Sequence, residues 1–297
     1  MKRFSILIPI IKVRFLGTAI QSVVHQTYHD WELVLLNDCS KENVDAVVKN
    51  FADQRIRYYK SEVNLGKVFP TVAWNKAVSL SKGEYICLLG DDDFLSANYL
   101  EEISKLVEKY PAVNLFRARL KRVNEMNQVI QVGDKVPVHE TWDQMLYQRN
   151  VNLRVQSTSE FTVKRDKLVE VGGFPHFPRA CGSDDVLYLM LAEENGVAAT
   201  NAACSYWRKS SLNISDNDNH SLNAHKERFY LRWERNFLDS MFSNRVPISA
   251  LYQSIENKLS RTEQPTTEAM KKNRSIIKKK KYLSSIEKKA IILSQKP

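Results

Sequence analysis

The chain has 297 residues, 43% of them hydrophobic and 26% charged, with a net charge of +10 at pH 7. That length buries a full core, that balance describes an ordinary soluble globular protein, and no apolar run approaches the ~20 residues of a membrane span. Four cysteines (Cys39, Cys87, Cys181, Cys204) lie far apart without CxxC spacing, which excludes a zinc ribbon or disulfide framework and fits a reducing cytoplasm.

Lys2-Arg3 followed by Phe4 to Ile11 superficially mimics a signal peptide, but Pro9 interrupts it, and Lys12 and Arg14 end it without a cleavage site. Phe4–Pro9 therefore reads as a first strand, and Phe15–Thr27 as a helix with Leu16, Ile20, Val23 and Val24 on one face. Trp31–Leu36, Arg55–Lys60 and Glu84–Leu89 read as further strands, separated by helices over Val44–Phe51 and Thr71–Leu80. Strands alternating with single helices predict a mostly parallel sheet with helices on its faces. Right-handed crossovers then gather Pro9, Asn37-Asp38 and Asp91–Asp93 on one edge, where open α/β sheets bind ligands.

A helix follows Asn98 to about Tyr110, and the pattern then loosens. Strand-like pieces lie near Val113–Arg119, Val151–Gln156 and Glu160–Lys164, with a helix around Trp142–Gln148. A helix runs from Ser183 to about Asn195, and a strand lies near Ala202–Arg208. Residues 210–225 read as a polar loop and 226–260 as helical.

The three acids Asp91-Asp92-Asp93 follow the apolar run Tyr85-Ile86-Cys87-Leu88-Leu89 after one glycine. Packed together they repel one another unless a cation sits among them, and Mg²⁺ or Mn²⁺ with oxygen ligands is the economical choice. The same residues would also serve as a solvated turn, or as caps for the helix beyond. No G-x-G-x-x-G follows the first strand and no G-x-x-x-x-G-K-[ST] occurs, so phosphate charge would need a metal rather than a glycine cradle.

Ser5-Ile6-Leu7-Ile8-Pro9, Ala19 to Tyr28, and Trp31 to Ser40 resemble the opening of the family 2 glycosyltransferases. Asn64-Leu65-Gly66, Asn75-Lys76-Ala77 and Lys82 to Ile86, running into the acids, continue the resemblance. Val171-Gly172-Gly173-Phe174 and Ser183-Asp184-Asp185 are similar to the family's acceptor-side motifs, so that coverage runs from about residue 4 to 215.

The resemblance implies a GT-A fold, Rossmann-like, and an inverting hexosyl transfer from a nucleotide diphosphate sugar, UDP-linked, to a hydroxyl acceptor. It also implies Mn²⁺ or Mg²⁺ at Asp92 and Asp93, with Asp91 assisting or capping the turn. Asp38 would meet the uracil, the backbone of Pro9 and Ile10 would line the base, and Asn64 and Gly66 would complete the donor side. Asp185 would be the catalytic base, with Asp184 positioning acceptor hydroxyls. Apart from the resemblance, both acids suit a helix N-terminus through its dipole.

Departures from the family pattern fall at Ile10–Arg14, Asn37, Trp74 and Gly90, and at Ser210, where many relatives carry histidine. Lys67, Arg208, His220 or His225 could replace the lost contacts. A sugar-nucleotidyltransferase would want a Gly-rich basic loop after the first strand, which Ile10–Phe15 lacks. A degenerate sugar-nucleotide-binding scaffold is the non-enzyme alternative.

The expected organisation is a glycosyltransferase domain over residues 1–215, with a donor half to about 110 and an acceptor half beyond. A loop and a helical, basic extension follow over 216–297. Between 258 and 297 twelve Lys/Arg face three Glu, so the tail carries nearly all of the +10. Lys271 to Lys281, interleaved with Ile276, Ile277 and Tyr282, would form an amphipathic helix on an anionic membrane or a solvated basic tail. Nucleic-acid binding has no motif behind it. The expectation is a cytoplasmic protein, peripheral on the inner membrane face, extending a surface polysaccharide or a lipid-linked saccharide.

Overall fold

The computed structural model describes residues 3–150, 154–211, 213, 231–234, 236 and 257. The chain divides into two compact units, residues 1–145 with 155–217, and residues 146–154 with 218–297. In the second unit Asn150 Nδ2 donates to Glu234 Oε1 at 2.6 Å, and residues 231–234 are helical. The expectations for His220, His225 and most of the basic extension lie outside the described residues.

The first unit opens with β1 (Phe4–Ile10), α1 (Leu16–Val24), β2 (Trp31–Asn37), α2 (Val44–Val48), β3 (Ile56–Lys60), α3 (Pro70–Leu80) and β4 (Tyr85–Leu88). These match the alternating strands and helices expected, with α2 reduced to five residues and started by the Asn43 side chain, which accepts from Ala46 N. Then come β5 (Phe94–Leu95), α4 (Tyr99–Lys109), β6 (Leu115–Val123), β7 (Val129–Val132), β8 (His139–Glu140) and α5 (Trp142–Asn150), whose residues from Leu146 on belong to the second unit. The unit closes with β9 (Phe161–Lys164), α6 (Arg165–Glu170), α7 (Ser183–Ala192) and β10 (Val197–Arg208). Residues 154–156, expected in a strand, carry none. The Gln156 side chain donates to Asp185 of α7 instead of packing in a sheet.

The strand order is β3-β2-β1-β4-β9-β6-β10-β5, with β7 added to β6 and β8 to β10. β3, β2, β1 and β4 are parallel. β9 runs antiparallel between β4 and β6, which returns β6 and its parallel neighbour β10 to the direction of β4. Six of the eight strands on this path therefore end at one edge. Phe4, Ile6, Ile8 and Ile10 of β1 pack with Leu16, Ala19, Ile20 and Val23 of α1, while Leu7 on the other face is also fully buried. A central strand covered on both faces is what a parallel sheet requires.

Candidate active site

Parallel pairing brings Ile10, Asn37 and the residues after Leu88 to the same edge. Gln26, after α1, holds the chain that leaves the acid loop. Its buried amide donates to Ser96 O at 2.8 Å and accepts from Leu100 N at 2.9 Å, capping α4. The three acids differ sharply in their surroundings. Asp91 Oδ2 accepts Ile11 N at 2.9 Å and Lys12 N at 2.8 Å, so it clamps the segment after β1. Asp92 has Lys12 Nζ at 3.9 Å. Asp93 is buried, accepting Ser159 Oγ at 2.5 Å on one oxygen and Arg208 N at 2.9 Å on the other.

Arg208 ends β10 against this cluster. Its Nε donates to Asp92 O at 2.8 Å and its Nη1 to Asn124 O at 3.0 Å, with the guanidinium 4.2 Å from the Phe15 ring centroid. Burial, reinforced by the Asp92 charge, pushes the Asp91 carboxyl up to about 6 and Asp93 up to about 8. Burial raises Asp92 as well, and lowers the Arg208 guanidinium. Adjacent cations thus leave negative charge uncompensated, the electrostatic condition that suits a divalent cation. Among the described residues no three His, Cys, Asp or Glu side chains gather as a ligand set. Asp92 and Asp93 are the oxygen donors that would hold a hard cation there.

Asp38 is buried, with Oδ1 accepting Leu65 N at 2.7 Å and Oδ2 accepting Gly66 N at 2.8 Å. It fastens the loop that carries exposed Asn64 to the sheet edge. A side chain at Gly66 would stand 3.0 Å from that carboxylate and 3.2 Å from the Pro70 backbone, so the close approach favours glycine. Asp38 N also donates to Ile10 O at 3.0 Å, tying Pro9-Ile10 to the same corner, where the Ile10 side chain belongs to the core. Asn37 uses its side chain to accept Ser40 N and to donate to the Tyr58 hydroxyl. Lys67 is exposed.

Asp184 and Asp185 open α7, in its first turn. The approach to them is conformationally costly: Arg179 and Ala180 have φ of 54° and 57°, and Gly182, at φ 74°, is the N-cap. Asn75 holds the preceding loop from both sides, accepting Phe174 N at 2.8 Å and donating to Phe174 O at 2.9 Å. Trp74 meets the Phe174 ring edge-on at 5.3 Å, which accounts for that departure as packing.

The residues that join the two acid pairs escaped the sequence reading. Gln156 Nε2 donates to Asp185 Oδ1, Thr158 Oγ1 donates to Asp184 Oδ2 at 2.7 Å, and Ser159 Oγ donates to Asp93. Ser159 Oγ also accepts Gly90 N at 3.2 Å. A capping box between Ser157 and Glu160 shapes this segment, and Glu160 forms a fully buried ion pair with Arg117 at 3.1 Å. The S-x-x-E spacing was the available signal. Ser210, at the expected histidine position, is buried and binds the Asn213 side chain through its amide and hydroxyl.

An α/β fold whose carboxylates gather at one sheet edge defines the class: ligand-binding enzymes of the GT-A type. The Glycosyl transferase family 2 model matches residues 5–168, and the chain belongs to that family of glycosyltransferases. It is 28% identical over 206 residues to the Escherichia coli UDP-Glc:alpha-D-GlcNAc-diphosphoundecaprenol beta-1,3-glucosyltransferase WfgD, covering 68% of this chain and 75% of that one. It is 37% identical over 84 residues to the putative colanic acid biosynthesis glycosyl transferase WcaA of Escherichia coli K12, covering 28% and 29%. Its fold matches S. aureus TarS (residues 1–349) solved with UDP-GlcNAc, at TM-score 0.65 and 12% identity over 96% of this chain and 79% of that one. The complex of the same TarS fragment with UDP matches at TM-score 0.62. Among the described residues no helix is long and apolar enough to cross a membrane.

Proposed function

We propose that this glycosyltransferase moves a hexosyl group, with inversion, from a UDP-sugar to a hydroxyl of a saccharide or lipid-linked saccharide acceptor in surface glycan synthesis. One observation carries the reading: residues 156–159 hydrogen-bond to both Asp184-Asp185 and Asp93, so one short segment couples the two acid pairs. The TarS complexes favour UDP as the donor's nucleotide. WfgD, named for a diphosphoundecaprenol-linked acceptor, favours the lipid-linked class.

In this reading Asp38 and the Pro9-Ile10 backbone border the uracil, and Asn64, Gly66 and Asp91 shape the donor side. Asp185 accepts the proton of the attacking acceptor hydroxyl, while Gln156 fixes its orientation and Asp184 positions a neighbouring hydroxyl. The acceptor oxygen forms its bond to the anomeric carbon opposite the leaving UDP, so an α-linked donor gives a β-linked product. Mn²⁺ or Mg²⁺ held by Asp92 and Asp93 would supply Lewis-acid stabilisation of the leaving diphosphate. Arg208 keeps the acid loop in place from β10.

Calorimetric titration with UDP, with and without Mn²⁺, tests the donor half of the proposal. Binding should require the cation and vanish in Asp93→Ala, while Asp185→Asn binds UDP and fails to transfer sugar. Transfer by Asp185→Asn at the native rate would overturn the assignment of the base. UDP binding with no turnover of any UDP-sugar, unaltered by Asp185→Asn, would mark a scaffold. Pyrophosphate release from UTP and a sugar phosphate would mark a nucleotidyltransferase.

A further inference from the structure

We propose that the β6–β7 hairpin docks the enzyme on an anionic lipid bilayer. Met126, Val129, Ile130 and Val132 are all exposed large hydrophobic residues, with Met126 72% and Ile130 52% accessible. Among the described residues β7 pairs only with β6, and every one of its four residues is exposed. Scattered apolar side chains need no explanation, but a run of them on one exposed hairpin marks an interaction surface.

The hairpin presents this surface in a prebuilt form. The Asn124 side chain accepts the amides of Met126 and Gln128 at 2.9 and 3.0 Å, and Asn124 N donates to Gln128 O at 2.9 Å. Asn127 takes the left-handed conformation, φ 63°, that asparagine tolerates. Met126 is thus held out at the tip by a turn whose ordering cost is met within the fold.

Charge selects the occupant. Half-buried Lys121 and Arg122 stand over the rings of Tyr206 and Trp207, exposed Lys209 follows β10, and exposed Asp134 and Lys135, of opposite charge, follow β7. Lys209 N bonds to Val123 O at 2.8 Å, placing it next to the hairpin. Nearby Glu125 is paired with Arg14 at 2.9 Å. Apolar side chains flanked by cations and amphipathic rings suit the interface of an anionic bilayer. A second copy would set like charge against like charge.

The hairpin borders the carboxylate edge, since Arg208 joins Asn124 O to Asp92 O. Docking there would place a lipid-linked acceptor beside the acids. That consequence rests on the proposed function, whereas the docking itself does not.

The experiment is co-sedimentation of the full chain with vesicles of phosphatidylglycerol and phosphatidylcholine, against phosphatidylcholine alone. Wild type should partition onto the anionic vesicles, and Met126→Asp with Ile130→Asp should weaken partitioning by about tenfold or more. Val132→Asp alone provides a second variant, and far-UV dichroism with the melting temperature reports folding of each. Native partitioning by folded hairpin variants would overturn the proposal, as would failure of wild type to bind. A wild-type dimer made monomeric by these variants, with vesicle binding unchanged, would identify a second copy as the occupant. UDP titration of the same variants separates the two readings. Docking without UDP binding defeats the transferase donor site alone, and UDP binding without docking defeats the hairpin alone.

Discussion

At the edge where the parallel strands begin, Glu32 is buried beside β1; at the edge where they end, after β4, Asp93 is buried and Asp91 half-buried. Glu32 accepts Ser5 Oγ at 2.6 Å, the Lys82 amide, and Arg57 Nη1 at 2.9 Å. Burial alone would raise its pKa, but the Ser5 and Arg57 hydrogen bonds hold it below the usual carboxylate range. Asp93 receives two hydrogen bonds as well, yet burial and the Asp92 charge push it up to about 8. The difference separates a carboxylate that the fold pairs from one that it leaves poised for a ligand. The first has been supplied with a cation by the fold, whereas the second retains a charge deficit that a ligand can fill.

Substitution should therefore cost function at one edge and stability at the other. The largest effect is expected at Asp185, which a fully formed helix presents. Asp185→Asn should lower the transfer rate by about 10²- to 10⁴-fold, the usual contribution of a positioned base. Its melting temperature and UDP affinity should match wild type, and initial rates with a UDP-sugar check the difference. Glu32→Ala should do the reverse. It leaves the Ser5 hydroxyl, the Lys82 amide and Arg57 without their shared acceptor, at about 1–3 kcal/mol in urea unfolding, with UDP binding unchanged. Equal loss of stability in both variants would break the comparison.

The edges should also respond to pH with opposite sign. Asp91 and Asp93 have folded pKa values of about 6 and about 8, above the ~3.9 of an unfolded aspartate. Their contribution to stability is full below that unfolded value and is lost as pH rises through about 6 and then about 8. Glu32, held low, contributes stability above its unfolded pKa and loses it as pH falls through the folded one. Melting temperatures in metal-free buffer should fall from about pH 4 to about pH 8, and Mn²⁺ or Mg²⁺ should restore them at the alkaline end. Asp93→Asn should flatten that alkaline fall and remove the cation's effect.

Much of the acid edge was legible in the sequence, because four strand-helix alternations fix a parallel sheet and a parallel sheet fixes its ligand edge. Asp38, Asp91–Asp93 and Asp185 could be singled out as residues, but not by what their oxygens touch. The donors to Asp38 and Asp91 are backbone amides of Leu65, Gly66, Ile11 and Lys12, which any sequence would carry. The two-residue strands β5 and β8 and the short helix α6 offer too few positions for a period to emerge. β7 hides for another reason: Val129 to Val132 are exposed on both faces, so no alternation marks them. Arg154 to Gln156 read as strand through Val155 but form none, and Gln156, like Thr158 and Ser159 after it, bonds to an acid from a distant element.

Ser159 supplies the smallest and most discriminating test. Its hydroxyl donates to Asp93 and accepts Gly90 N, so Ser159→Ala removes two neutral-scale interactions worth about 0.5–1.5 kcal/mol each. The serine hydrogen bond also opposes the burial that raises the Asp93 pKa. Without it the carboxyl should titrate at still higher pH, and the alkaline loss of stability should shift upward with it. Glu32 lies at the other edge, and the acidic limb of the melting profile should not move. A shift of both limbs would mean that Ser159→Ala acts on the whole fold, and one of neither that Ser159 does not govern Asp93. A shift of the alkaline limb alone would tie the segment carrying Gln156 and Thr158 to the charge state of the acid cluster, which is the coupling on which the transfer reading depends.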